Sequence, residues 1–230
     1  MCLSDPQKIS VIIQARLGST RLPGKVLKKI DGKNPLLFYV LSQLSHSKLI
    51  NEIIVATTIL EQDDEIVEYL EKLNVKYFRG NPYDVLDRYY NCAKKFSLDK
   101  IIRITADNPL IDPLIVDKMI SVFNSDNYDF VTNCFPRTYP YGTEVEIFTF
   151  SALEKIHKIA KDPTEREHVT KYFYNNSKNF KIFNVENNEN LSHFKWTVDT
   201  DADFKLVSQL ISKIKKRPIL TDDLIKILKS

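Results

Sequence analysis

A chain of 230 residues, 43 % hydrophobic and 27 % charged, has the make-up of one well-packed soluble domain or of two small ones. Its 33 Lys and Arg against 30 Asp and Glu leave only +3, too small a surplus to argue for a nucleic-acid partner through bulk charge. Cys2, Cys92 and Cys134 are scattered, with no CxxC pair, which argues against a disulfide framework and a cysteine zinc site; no apolar run nears the roughly 20 residues of a membrane span, and no signal-peptide pattern opens the chain, so a cytoplasmic protein without a membrane partner is expected.

The N-terminal half alternates short β-branched runs with amphipathic stretches. Residues 9–14 predict a strand buried on both faces, 36–45 a helix, 53–57 a second buried strand and 63–73 a helix with apolar residues three and four apart. Residues 75–78 predict a short strand, 83–96 a helix and 100–105 another buried strand. Strands apolar on both faces and separated by helices imply parallel pairing in a doubly wound α/β sheet. Beyond Pro113 the pattern loosens: a helix over 113–123, strand-like segments at 130–133, 143–148, 182–185 and 194–198, and a last long helix over 201–215. Asp162, Pro163 and Glu165 have the spacing of an N-cap, a first-turn proline and a capping acid. No linker or repeat divides the chain, so one domain over 1–230 is expected, with about 135–185 projecting as an arm.

The first strand runs directly into "QARLGSTRLPGKVL", where Arg16, Arg21 and Lys25 crowd around Gly18, Ser19 and Thr20. In an α/β sheet a loop beyond a strand's carboxyl end is the place for a ligand. The spacing fits neither common phosphate loop: five residues separate Gly18 from Gly24, Val26 follows Lys25, and G-x-G-x-x-G is absent. The ingredients still suit a triphosphate, with backbone N–H groups and the Ser19 and Thr20 hydroxyls as donors, Arg16 as a planar fork and Lys25 as a point charge.

Two acids stand just past buried strands. In "IIRITADNPLID", Asp107 follows the strand end at Thr105, and Pro109 keeps Asn108 extended. In "WTVDTDADF", Thr200 and Asp203 have capping-box spacing and Asp201 suits a helix first turn, which leaves Asp199 without a local task. In the middle segment, "PRTYPYGTEVEIF" and "TEREHVTKYF" gather Arg137, Tyr141, Glu144, Glu146, Arg166 and His168. Arg166 shares a helical stripe with Val169 and Phe173. Either a carboxylate such as Glu144 or Glu146, or an acidic ligand, would satisfy it.

The string Q-A-R-L-G-S-T-R-L-P-G-K-V-L resembles the N-terminal signature of the cytidylyltransferases, in particular the SpsF-like spore-coat-polysaccharide group, whose relatives activate 3-deoxy-manno-octulosonate and N-acylneuraminate as CMP-sugars. "TADNPLID" resembles that family's G-D-x-P-L-I motif with Ala106 for glycine, and "VDTDADF" its V-D-T-P-E-D-L motif with Asp201 for proline. "GNPYDVLDRYYNCA" resembles G-x-x-x-D-V-L-D-R-Y. The resemblance implies a Rossmann-like α/β/α nucleotidyltransferase with a mainly parallel, mixed sheet. It also implies CMP transfer from CTP to an acidic sugar or related polysaccharide precursor, with release of pyrophosphate. Ala15, Arg16, Gly18, Ser19, Thr20, Arg21, Lys25, Arg88 and Arg103 would then meet the nucleotide, with Arg16 and Lys25 on its phosphates. Asp107 and Asp199 would hold Mg2+, which makes Arg16, Lys25, Asp107 and Asp199 the catalytic set. Arg137, Tyr141, Glu144, Glu146, Arg166 and His168 would face the acceptor. A homodimer is implied, with Phe135, Tyr139 and Tyr141 available for the contact. Two rivals remain at this point: a glycosyltransferase, for which Asp199-Thr200-Asp201 offers a D-x-D motif, and a nucleotide-binding protein without turnover.

Overall fold

The computed structural model describes residues 8–229. In chain order the elements are β1 (Ile9–Gln14), α1 (Leu36–Leu44), β2 (Glu52–Thr58), α2 (Asp64–Lys72), β3 (Lys76–Gly80), α3 (Val85–Lys95), β4 (Lys100–Thr105), α4 (Pro113–Asn124), β5 (Phe130–Thr132), β6 (Glu146–Thr149), α5 (Phe150–Ile159), α6 (Pro163–Glu167), α7 (Lys171–Asn175), β7 (Ile182–Asn184), α8 (Asp201–Lys213) and α9 (Thr221–Lys229). They build one seven-stranded sheet in the order β3-β2-β1-β4-β6-β5-β7. The first four strands are parallel; β6 runs antiparallel to β4 and β5, and β7 is parallel to β5.

The apolar run of β1 has a direct structural cause. Val11 and Ile13 point into a core shared with α1, α2, α4, α8 and α9, whereas Ile12 points into a second core shared with α3, α5 and α7. Helices therefore cover both faces, and a central strand has no face on which a polar residue would meet water. The result is a three-layer α/β/α sandwich. No helix among the described residues is long and apolar enough to cross a membrane.

The sequence misplaces several elements of the second half. Residues 194–198 form no strand. Tyr141 pairs with Lys195 in an isolated bridge, and the ladder stops there because Gly142, at φ +106°, turns the chain away. Helices α5 and α9 were not anticipated; α5 follows β6 without a turn residue, the Thr149 hydroxyl accepting from the Ala152 amide at 3.1 Å to cap it. Asp162 does cap α6, accepting from the amides of Thr164 and Glu165, but the helix ends at Glu167 and His168 breaks it. Arg166 and Phe173 thus lie on different helices. The 135–185 stretch is also more closely joined to the body than an arm: it supplies β6 and β7 to the sheet, and α5 lies in the core that α3 shares. Of the three aromatic residues expected at a contact, Tyr139 is buried, its hydroxyl accepting from Lys118 Nζ at 2.8 Å, while Phe135 and Tyr141 are exposed.

Candidate active site

Strand β1 is where the sheet reverses direction. From β1 the chain steps outward to β2 and β3, then crosses to the far side of β1 to lay down β4. Loops leaving the carboxyl ends part at such a point and open a crevice. Gln14 and Thr105, the last residues of β1 and β4, are register partners, so the two candidate loops leave the sheet side by side.

The loop after β1 is fixed from below by Asp63, which is fully buried. One of its carboxylate oxygens accepts from the Leu17 amide at 2.7 Å and the other from the Thr58 hydroxyl. At Gly18 a Cβ would sit 3.0 Å from Gln62 Nε2, so the loop lies tight against the chain that follows β2. Gly24, at φ +69°, makes the left-handed step into the short turn 25–27 that carries Lys25 inward. Among the described residues the amides of Arg16, Gly18, Thr20 and Arg21 have no acceptor, and the Arg16 guanidinium has no hydrogen bond or ion pair. A run of free amides beside an unpaired guanidinium suits an anion.

Lys25 departs from the expected free point charge. Its ammonium is buried and donates to Asp107 Oδ2 at 3.0 Å, to the Val198 carbonyl at 2.7 Å and to Asp199 Oδ1 at 3.4 Å. The two acids expected to work together are thereby held on one nitrogen. Arg21 Nη2 also reaches Asp199 Oδ1, at 2.9 Å. Asp203 closes the capping box with Thr200 and accepts from the Asp199 amide at 3.0 Å, which fixes the backbone beneath that acid.

A cleft of about 290 Å³ lies over this group, lined by Ala15, Arg16, Ser19, Thr20, Arg21, Lys25, Arg88, Asp107 and Asp199 among others. Arg88 is 1 % exposed, donates from Nη1 to the Asn81 carbonyl at 2.7 Å, and has its buried Nε unpartnered. Burial draws its pKa down, and the nearby Asp63 and Asp84 charges offset only part of that without forming an ion pair with it. Gly80 makes room for it: a Cβ there would lie 3.0 Å from Arg88 Cγ and 2.7 Å from Phe78 Cε1. A buried guanidinium with spare donors at a cleft is costly unless an anion completes it.

A second cleft, of about 210 Å³, opens on the other side of the acids. Asp107, Asp199 and Thr105 line both, and the second adds Arg103, Asn108, Tyr141, Glu144, Lys195 and Thr197. Arg137 lies over the Tyr141 ring, 4.0 Å from its centroid, and donates to Glu144 Oε1 at 2.7 Å, while Glu144 Oε2 accepts from Asn108 Nδ2 at 3.0 Å and the Gly142 amide at 2.9 Å. Burial raises the Glu144 pKa, and Arg137 offsets part of that rise. Gly142 is required here, since a Cβ would fall 2.5 Å from Trp196 Cδ1.

Four expected placements change. Arg103, expected with the nucleotide set, lines the second cleft instead and donates to Glu146 Oε2 at 2.5 Å; burial lowers its pKa, but the Glu146 charge outweighs this and raises it. Glu146 is consumed by that pair and by the Tyr174 hydroxyl at 2.6 Å, because β4 and β6 bring residues 103 and 146 into register. Arg166 lines neither cleft: it donates to Asp84 Oδ2 at 2.5 Å and to the carbonyls of His157 and Ala160, so its carboxylate partner is neither Glu144 nor Glu146. His168 lines the first cleft, not the second. Asp201 pairs with Lys28 on the surface of α8 and lines neither cleft, so the D-x-D pattern does not present two acids together. Asn108, Lys195 and Thr197 were not foreseen; their one signal is nearness to the two acids, Asn108 and Thr197 within the same motifs and Lys195 just ahead of the second.

Residues 10–222 match the family model described as Cytidylyltransferase. The chain belongs to the cytidylyltransferase family. This cytidylyltransferase is 32 % identical over 219 residues to the spore coat polysaccharide biosynthesis protein SpsF of Bacillus subtilis, covering 91 % of this chain and 89 % of that one. It superimposes on the structure of a cytidylyltransferase from Leptospira borgpetersenii with a TM-score of 0.93 at 39 % identity, over 97 % of this chain and 94 % of that one. A CMP:2-keto-3-deoxy-manno-octonic acid synthetase, solved with CTP, shares the fold with a TM-score of 0.70 at 20 % identity, over 90 % and 99 % of the two chains. The family match does not favour the glycosyltransferase reading.

Proposed function

We propose that this cytidylyltransferase transfers CMP from CTP to an acidic sugar or related surface-polysaccharide precursor and releases pyrophosphate. One observation carries the reading: two clefts, one rich in phosphate donors and one polar, meet at Asp107 and Asp199. The nucleotide lies in the first, its phosphates on the free loop amides, Arg16 and Arg88. The acceptor lies in the second, near Tyr141, Glu144 and Lys195. An acceptor hydroxyl oxygen attacks the α-phosphorus and gives up its proton to water, the bridge to the β-phosphate breaks, and pyrophosphate leaves on the Arg16 side. Catalysis of this kind asks the protein chiefly for positioning and charge stabilisation.

Asp107 and Asp199 fit a Mg2+ ion. They are two carboxylates on neighbouring loops, Asp107 just beyond β4 and Asp199 just before α8, both partly exposed to the cleft, and Asp107 Oδ1 makes no hydrogen bond among the described residues. Bound there, Mg2+ would supply positive charge against that developing on the α-phosphate and the leaving group. The names of SpsF and of the octonic acid synthetase support a carbohydrate acceptor and CTP as donor. A homodimer belongs to the same reading, with Phe135, 72 % exposed, at the surface available for it.

The test is a matrix of the four nucleoside triphosphates against acidic sugars, read by pyrophosphate release with Mg2+ present. Release with CTP and an acidic sugar is expected. Release with another triphosphate alone reassigns the base; CTP binding with no release across the panel marks a binding protein and overturns the reading.

A further inference from the structure

The two acids are met by positive charge from the chain itself. Lys25 Nζ bonds Asp107 Oδ2, the Val198 carbonyl and Asp199 Oδ1, which spends all three ammonium hydrogens. Arg21 lies 2.9 Å from the same Asp199 oxygen, and Lys195 Nζ lies 3.7 Å from the other. Two carboxylates therefore face three cations, and the best placed of these is 8 % exposed and sits between them.

A divalent cation arriving alone has to displace Lys25 from that point. The displaced ammonium, still inside the fold, would have no anion to receive it, and an uncompensated buried charge is strongly unfavourable. A triphosphate alters the balance. Its oxygens give Lys25 and Arg21 new acceptors, and they complete the oxygen shell that two carboxylates begin. Resting on the nucleotidyl-transfer reading above, we propose that Lys25 is an internal counter-ion that closes the Asp107–Asp199 pair to divalent metal until a nucleoside triphosphate draws its ammonium away, so that metal enters with the nucleotide and not before it.

The experiment uses Mn2+ as the probe and water-proton relaxation as the readout, which separates protein-bound Mn2+ from Mn2+ chelated by free CTP. Wild type, Lys25→Met and Asp107→Asn are titrated with and without CTP, after circular dichroism has verified their folds. Without CTP, Lys25→Met should bind Mn2+ roughly 10- to 100-fold more tightly than wild type, the scale set by removing one nearby charge from a partly buried site. Lys25→Gln, which retains a hydrogen-bonding amide, carries the same comparison if the methionine variant does not fold. Equal Mn2+ affinity of wild type and the Lys25 variants without CTP overturns the proposal. A different result sinks the underlying reading: CTP failing to raise Mn2+ binding in wild type, or the rise persisting undiminished in Asp107→Asn.

Discussion

The amide of Val198 donates to the carbonyl of Asp107 at 2.9 Å, and this single bond joins the loop beyond β4 to the segment that enters α8. Asp199 follows Val198 directly, so the two acids are aligned by their backbones as well as by Lys25. Replacing either acid leaves that backbone bond in place. Asp107→Asn and Asp199→Asn should therefore retain the wild-type circular dichroism spectrum while pyrophosphate release falls at least about 100-fold. Near-normal release at saturating Mg2+ would remove both residues from the catalytic set.

Arg88 separates stability from binding. The cation is buried beside the cleft without a carboxylate partner, so Arg88→Met should keep or raise the melting temperature. The same change should raise the KM for CTP about 10- to 150-fold, the loss of one charge-assisted hydrogen bond. A lower melting temperature with unchanged KM would make Arg88 a structural residue.

Arg166 tests the opposite assignment. Because it bonds Asp84 and two carbonyls away from both clefts, Arg166→Met should lower stability by about 1–3 kcal/mol in urea denaturation. The KM values for CTP and acceptor should stay within about twofold of wild type, a change of less than 0.5 kcal/mol. A large rise in acceptor KM alone would return Arg166 to the acceptor set.

Gly142→Ala should cost about 2 kcal/mol or more, since position 142 combines φ +106° with a Cβ position 2.5 Å from Trp196. Urea denaturation followed by Trp196 fluorescence measures it.

Burial pushes the thiols of Cys92 and Cys134 up to about 12, so at pH 8 both stay protonated and poor nucleophiles. Iodoacetamide at that pH should leave both unmodified in the native protein, as read by peptide mass spectrometry, and label both in urea. Rapid native labelling of Cys134 would show that its neighbourhood opens.

The first half of the fold was legible because its strands are buried on both faces and its helices are amphipathic: Val11, Ile12 and Ile13 announce a covered central strand. The second half was less so. Residues 194–198 have strand composition, yet Gly142 turns their partner away after one bridge, a tertiary event with no local signature. The nearness of Asp107 to the first loop followed from its strand-end position, whereas Asp199 was legible by motif alone, since no strand ends before it. The Arg103–Glu146 pair was not, because it depends on β6 running antiparallel to β4, and sequence periodicity carries no strand direction. Asp84 as the partner of Arg166 was equally hidden, the two being 82 positions apart.

The joining of Asp107 to Val198 and Asp199 also has a meaning in time. The two acids are 92 positions apart in the chain, and at a synthesis rate of about 5–20 residues per second the ribosome takes about 5–18 s to travel from one to the other. Throughout that interval Lys25 and Asp107 are already made, but two of the three acceptors of the Lys25 ammonium are not. The nascent chain therefore cannot assemble this cluster until Val198 and Asp199 have both been made.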